Sequence, residues 1–206
     1  MNKKRQQSEQ TKAKLAEAAR GLFAQKGFKA TSIEDIVAAT GSSKGNIYYH
    51  FESKEGLFLY LVDAWYEEWS QQWEQKQESY RTTEEKLHGL VERLVLEDLN
   101  HPLTKAMDEF AAAPQERNEV HEAMAGYLKE HITFNEKLIR EGMERGELRQ
   151  DDARELAVVL EASLMGLAEM AKRLPQEDAL RMHRKALDVF LQGAASNREG
   201  RKRDDQ

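Results

Sequence analysis

Residues 42–51, SSKGNIYYHF, decide how this chain is read. The spacing predicts a short helix: Ser42 or Ser43 offers a hydroxyl cap, and Ile47 and Phe51, four apart, form one apolar face. The remaining residues are unusual for a helix that merely covers a core. Glycine inside a helix costs about 0.5–1 kcal/mol relative to alanine, yet Gly45 stands in the first turn. Ser43, Lys44, Asn46, Tyr48, Tyr49 and His50 spread over the sides that Ile47 and Phe51 leave free. A glycine suits a backbone that approaches another surface closely, and the DNA major groove is such a surface. There Lys44 and Asn46 have the donors and acceptors to read base edges, while tyrosine hydroxyls and an imidazole suit phosphate oxygens.

The residues upstream supply the support for that helix. Leu15, Ala18, Ala19, Leu22 and Phe23 form one amphipathic stripe, closed by Gly27 where a left-handed cap is favoured. Thr31 with Glu34 reads as a capping box for a second short helix, whose Ile33, Ile36 and Val37 pack on the first. Gly41 ends it, and the helix of residues 42–51 begins at once. Two short helices meeting at a glycine-containing turn are the arrangement of a helix-turn-helix. The charge distribution agrees: residues 1–54 hold ten Lys or Arg against five Asp or Glu, a balance of +5 in a chain whose net charge is −6. The N-terminal end is therefore the face for a polyanion, with Lys3, Lys4, Arg5, Lys12 and Lys14 as further basic groups ahead of or along the first helix.

At 206 residues and 40% apolar content, the chain can bury a sizeable core. It has no cysteine, which excludes disulfides, thiol nucleophiles and cysteine–zinc sites. The polar N-terminus and the lack of any apolar run of membrane-spanning length lead to the expectation of a cytoplasmic protein. Catalysis is not expected. The six histidines are scattered without metal-ligand spacing, no nucleophile elbow occurs, and no cofactor or metal is anticipated.

The remainder also reads as helix, giving an all-α fold of about nine helices. Prolines occur only at 102, 114 and 175, and no alternating strand pattern is present. A fourth helix from Ser53 to about residue 79 carries Leu57, Leu61, Trp65, Trp69 and Trp73, each four apart, so all three tryptophans share a stripe. Thr82 with Glu85 caps a fifth helix ending near Asn100, with Leu87, Val91, Leu94 and Asp98 in line. A sixth runs from about Pro102 to Ala113, a long seventh bears Met124 and Tyr127 and ends around residues 142–146, and two more begin at Asp151 or Asp152 and at Pro175. The last two carry stripes containing Leu160, Leu164 and Leu167, and Leu187 and Phe190. Pairing these helices about a two-fold axis predicts a four-helix dimer interface. The expected organisation is a DNA-binding domain at 8–55, a ligand-binding and dimerisation domain at 56–195, and a flexible tail at 196–206.

Residues 30–58, ATSIEDIVAATGSSKGNIYYHFESKEGLF, resemble the DNA-binding domain of the TetR family of bacterial repressors. The shared features are the threonine before the second helix, the glycine in the turn, the Tyr-x-His-Phe ending and the Ser-Lys-Glu start of the fourth helix. The resemblance covers about residues 10–60. It implies that Thr31, Ser43, Lys44, Gly45, Asn46, Tyr48, Tyr49, His50 and Lys54 touch DNA; Ser32 and Ser42 border these positions and are counted with them. A longer stretch, residues 48–75, is similar to the QacR-like multidrug-sensing subgroup of that family. That likeness implies an aromatic and acidic pocket for lipophilic cations, and the helical stripes offer Trp65, Trp69, Trp73, Asp98, Met107, Phe110, Met124 and Tyr127 as its candidate residues. The subgroup's acidic pair on the fourth helix aligns with Trp65 and Tyr66, which leaves open a less cationic ligand or another carboxylate. The expected function is a dimeric repressor of a palindromic operator, released by a small hydrophobic ligand, cationic or not, and controlling an efflux pump. The alternatives are a sensor of acyl-CoA or another metabolite that regulates lipid metabolism, and a helical interaction protein without DNA binding.

Overall fold

A computed structural model describes residues 3–111 and 119–194. All regular structure among these residues is helical: α1 (Lys3–Lys26), α2 (Ile33–Thr40), α3 (Lys44–Phe51), α4 (Lys54–Gln77), α5 (Thr83–Leu96), a 3-10 turn (Asp98–Asn100), α6 (Thr104–Ala111), α7 (Glu119–Glu144), α8 (Ala153–Ala171) and α9 (Gln176–Ala194). None of these helices is long and apolar enough to cross a membrane. The chain divides into two compact units, Met1–Glu74 with Asn100–Ala125, and Gln75–Leu99 with Gly126–Gln206. The predicted helix-turn-helix lies wholly inside the first. The predicted tail lies outside the described residues, as does the stop at Pro114.

In the first unit, α1, α2 and α3 close around Leu15, Phe23, Ile36, Ile47 and Phe51, all buried. Phe23, Phe28 and Phe58 make a three-ring cluster with centroids 5.3–5.7 Å apart, so the start of α4 is fastened to the end of α1. Gly27 takes φ 85° and returns its N–H to the Phe23 carbonyl at 2.9 Å, the left-handed stop expected there. α6 contributes Glu109, whose carboxylate accepts the Lys29 N–H at 2.8 Å.

The cap of α2 differs from expectation by one residue. Ser32 is the N-cap: its hydroxyl accepts the Asp35 N–H at 3.0 Å and the Asp35 carboxylate accepts the Ser32 N–H at 2.9 Å, a full capping box. Thr31 is drawn inward instead, its hydroxyl donating to the carbonyls of Gly27 (2.7 Å) and Leu22 (3.3 Å). Glu34 is thereby freed from capping. α6 likewise begins two residues after Pro102, because the Thr104 N–H bonds to the His101 carbonyl and the Leu103 N–H to the His101 ring nitrogen.

In the second unit, α9 packs between α5 and α8 over a core that includes Leu87, Val91, Leu160 and Leu187. Thr82 caps α5 and Asp152 caps α8, as the sequence suggests. The end of α9 is tied down by the Arg149 N–H, which donates to the Ala194 carbonyl at 2.8 Å.

Candidate nucleic-acid interface

α3 is held by its apolar side and leaves its other sides free. Ile47 and Phe51 are buried, Ser43 caps the helix by accepting the Asn46 N–H at 3.2 Å, and Gly41 turns the chain in a left-handed conformation (φ 66°). Ser43, Lys44, Gly45, Asn46, Tyr48 and Tyr49 are exposed, Tyr49 to 77% of its surface, and Ser32, Ser42 and His50 are half-buried. Asn46 donates a long amide bond to the Ser42 hydroxyl (3.3 Å), which orients its side chain without burying it. A Cβ built on Gly45 would meet nothing closer than the Ser43 hydroxyl at 3.8 Å, and its φ is not positive. The fold itself thus has no use for glycine at this position.

Two of the expected contacts are committed elsewhere. Thr31 is 1% exposed with its hydroxyl spent inside the unit, so it does not present that group to a groove. The Lys54 ammonium donates to the carbonyls of Phe28 (3.0 Å) and Thr31 (2.9 Å) and sits 4.1 Å from the Phe28 ring centroid. It stitches the first turn of α4 to the loop before α2. Lys12 is similarly laid over the Tyr60 ring at 4.2 Å, and Lys14 donates to the Thr40 carbonyl at 2.8 Å.

Charge on the interface is locally organised. Asp35 is held at about 2, below the usual carboxylate range, by the Ser32 backbone N–H first and then by Lys26. Glu34 is lowered chiefly by its bond from the Lys44 ammonium, and that same bond raises Lys44. Sequence reasoning gave Glu34 a capping role and missed this pairing, since no spacing rule joins residues ten apart on two helices.

The residues expected to meet a ligand fall into both units. In the first, the Trp65 ring lies flat on His101, and Trp69 runs parallel to Trp73 at 6.0 Å and 11°. Trp65 and Trp69 are half-buried, but Trp73 is 2% exposed and belongs to the interior. Met107 and Met124 are half-buried; the Phe110 side chain lies outside the described residues. In the second unit Tyr127 is half-buried, and Asp98 faces the Arg93 guanidinium at 3.8 Å, so its charge already has a counterpart. His101, which sequence reasoning weighed only as a metal ligand, is the aromatic partner of Trp65.

The expected dimer residues also separate. Leu160 and Leu187 are buried within the second unit, filling its own core, while Leu164, Leu167 and Phe190 are half-buried. The apolar surface left on α8 and α9 lies next to them: Val159, Met182, Ala186, Val189 and Phe190 line an open groove of about 460 Å³.

Residues 15–61 match the sequence profile described as bacterial regulatory proteins, tetR family, and residues 66–196 match that of the QacR-like protein, C-terminal region. The HTH-type transcriptional regulator QacR of Staphylococcus aureus is 28% identical over 182 residues, 88% of this chain and 97% of that one. The probable HTH-type transcriptional regulator YttP of Bacillus subtilis is 31% identical over 66% of this chain and 67% of its own. Among solved structures, a TetR transcriptional regulator from Chloroflexus aurantiacus is 25% identical with TM-score 0.76, covering 92% of this chain and 98% of that one. A transcriptional regulator from Saccharomonospora viridis, solved in complex with choline, has the same fold at 22% identity and TM-score 0.77, covering 92% and 100%.

Proposed function

The chain belongs to the TetR family of bacterial regulatory proteins and carries a QacR-like C-terminal region, and from that premise we propose a homodimeric cytoplasmic repressor that grips a palindromic operator and is released by a hydrophobic cation. It is a transcriptional regulator and not an enzyme. Residues 8–55 read DNA and residues 56–195 sense the effector and pair the subunits. The observation that carries the reading is Gly45: a glycine that the fold does not need, on an exposed helix between Lys44 and Asn46 and ahead of Tyr48 and Tyr49. Close approach of that backbone to a groove gives it a purpose. Pairing through α8 and α9 would set two such helices about 34 Å apart, one turn of DNA.

The effector class rests on the tryptophan row. Trp65 and Trp69 present half-buried aromatic rings, and Glu67 and Glu68 stand on the same helix with exposed carboxylates. Rings beside carboxylates suit a lipophilic quaternary ammonium, and genes for an efflux pump are the fitting target. Because binding linkage is reciprocal, an effector that favours the released state must itself bind less tightly to the operator-bound protein.

The test has two steps. Duplexes are enriched from a random library with the wild-type protein, and the bound complex is then titrated with a lipophilic quaternary ammonium dye and, separately, with long-chain acyl-CoA while tryptophan emission and DNA release are followed. An enriched palindrome, released by the dye with saturable quenching, is the expected result. Release by acyl-CoA alone overturns the cationic effector, and enrichment of no sequence overturns the operator.

A further inference from the structure

One carboxylate, Glu34, stands among the DNA-reading groups on a face where a negative charge opposes DNA. It is the second residue of α2, and its Oε1 accepts a bond from the ammonium of Lys44, the first residue of α3. Both side chains are more than half exposed. Lys44 occupies an unfavourable place for a cation, since a helix N-terminus carries partial positive charge and the first turn of α3 holds no acidic residue. Glu34 supplies that missing charge from the neighbouring helix. The division of labour in α2 is clear: Asp35 is taken by the Ser32 cap and by Lys26 at 3.1 Å, and Glu34 by Lys44.

We infer that Glu34 is a specificity-determining residue, which pins the Lys44 ammonium toward base edges and keeps it off the phosphate backbone. The inference rests on the reading that α3 enters the major groove. A lysine left to itself is a flexible point charge that any phosphate attracts, and such a contact adds affinity for every sequence alike. Bonded to Glu34, the ammonium has one of its three donor directions filled and its position limited. The other two remain for guanine O6 and N7. The carboxylate also repels phosphates, which lowers affinity for unrelated DNA more than for a site where Lys44 gains a base partner. An exposed ion pair adds little to fold stability, so removing it leaves a folded protein in which the DNA effect can be read.

The experiment compares wild type with Glu34→Gln, Lys44→Ala, the double variant and Glu9→Gln. The last removes the same charge from an exposed site on α1 without freeing a lysine. Binding is measured over a range of salt on the duplex enriched by wild type and on an unrelated duplex, and library enrichment is repeated with each variant. Glu34→Gln is expected to bind unrelated DNA about 3–10-fold more tightly, to steepen the salt dependence by about one phosphate contact (~0.9 in the log–log slope), and to lose the guanine preference at one position of each half-site. Glu9→Gln keeps the preference, and on the Lys44→Ala background Glu34→Gln changes neither preference nor slope beyond what Glu9→Gln does. An unchanged preference and slope in Glu34→Gln overturns the inference. So does a loss that persists on the Lys44→Ala background, which would make Glu34 itself the base reader. If wild type enriches no sequence, the groove-binding reading of α3 fails first, a result distinct from an enriched motif that ignores Glu34.

Discussion

The imidazole of His101 lies on the indole of Trp65 with ring centroids 3.9 Å apart and planes 3° from parallel. Its ring nitrogen accepts the Leu103 N–H at 3.3 Å, so the stack also holds the start of α6. Burial, with the charge of Arg20 second, pushes the imidazole below its ordinary value near 6.5. An unfolded chain takes up this proton before the folded one does, so the contribution to stability is whole above the unfolded value of about 6.5 and is lost as pH falls from there through the lower folded value. The midpoint of urea unfolding should therefore drop on acidification below about pH 6.5. His101→Phe, which keeps a ring on Trp65 without a titrating group, should flatten that portion of the curve; an unaltered slope in the variant would show that another group governs it.

Gly45 separates folding from recognition. Alanine there meets only the Ser43 hydroxyl, at an ordinary 3.8 Å, and relieves the conformational entropy of glycine, so Gly45→Ala should stabilise the protein by about 0.5–1 kcal/mol in thermal or urea unfolding. The same methyl group stands between the α3 backbone and a DNA groove, and operator affinity should fall at least tenfold. A variant both more stable and fully active in binding would show that the α3 backbone does not approach the groove closely enough to require glycine.

Lys54 has the opposite character. Its ammonium makes two bonds to main-chain carbonyls and covers the Phe28 ring, and hydrogen bonds from a charged group contribute about 1.5–3 kcal/mol. Lys54→Ala should destabilise the protein by about 2 kcal/mol while leaving the salt dependence of DNA binding close to wild type, measured at a temperature where the variant remains folded. A salt slope shallower by about one contact would return Lys54 to the phosphate backbone.

The helices of the first unit are legible in the sequence because glycine, serine and apolar spacing act locally: Gly27, Gly41 and the Ile47–Phe51 pair need no knowledge of the rest of the chain. The capping box is legible in type but displaced by one residue, because Thr31 and Ser32 are chemically alike and burial under α1 chooses between them. What cannot be read are the pairings across helices. Glu34 with Lys44 and Trp65 with His101 each depend on how two elements cross, and an amphipathic stripe does not say which of its edges meets its own subunit.

The stripes of α8 and α9 have two such edges. Leu187 is 1% exposed and Val189, two positions on, is 57% exposed. A leucine that fills the core of its own unit and a valine that faces outward beside a 460 Å³ apolar groove should respond differently to substitution. Leu187→Ala should cost about 2–5 kcal/mol of stability, the usual penalty for emptying a buried leucine site. Val189→Glu should leave the folded subunit nearly as stable as before, because an exposed glutamate is well solvated. If the outward face pairs the subunits, each such charge would be buried in the interface beside Lys185 of the same groove, and taking a carboxylate out of water there costs several kcal/mol. Sedimentation should then show monomers at concentrations where wild type is dimeric, and operator affinity should fall with the loss of the second recognition helix. A Val189→Glu protein that still sediments as a dimer would place the interface on another surface.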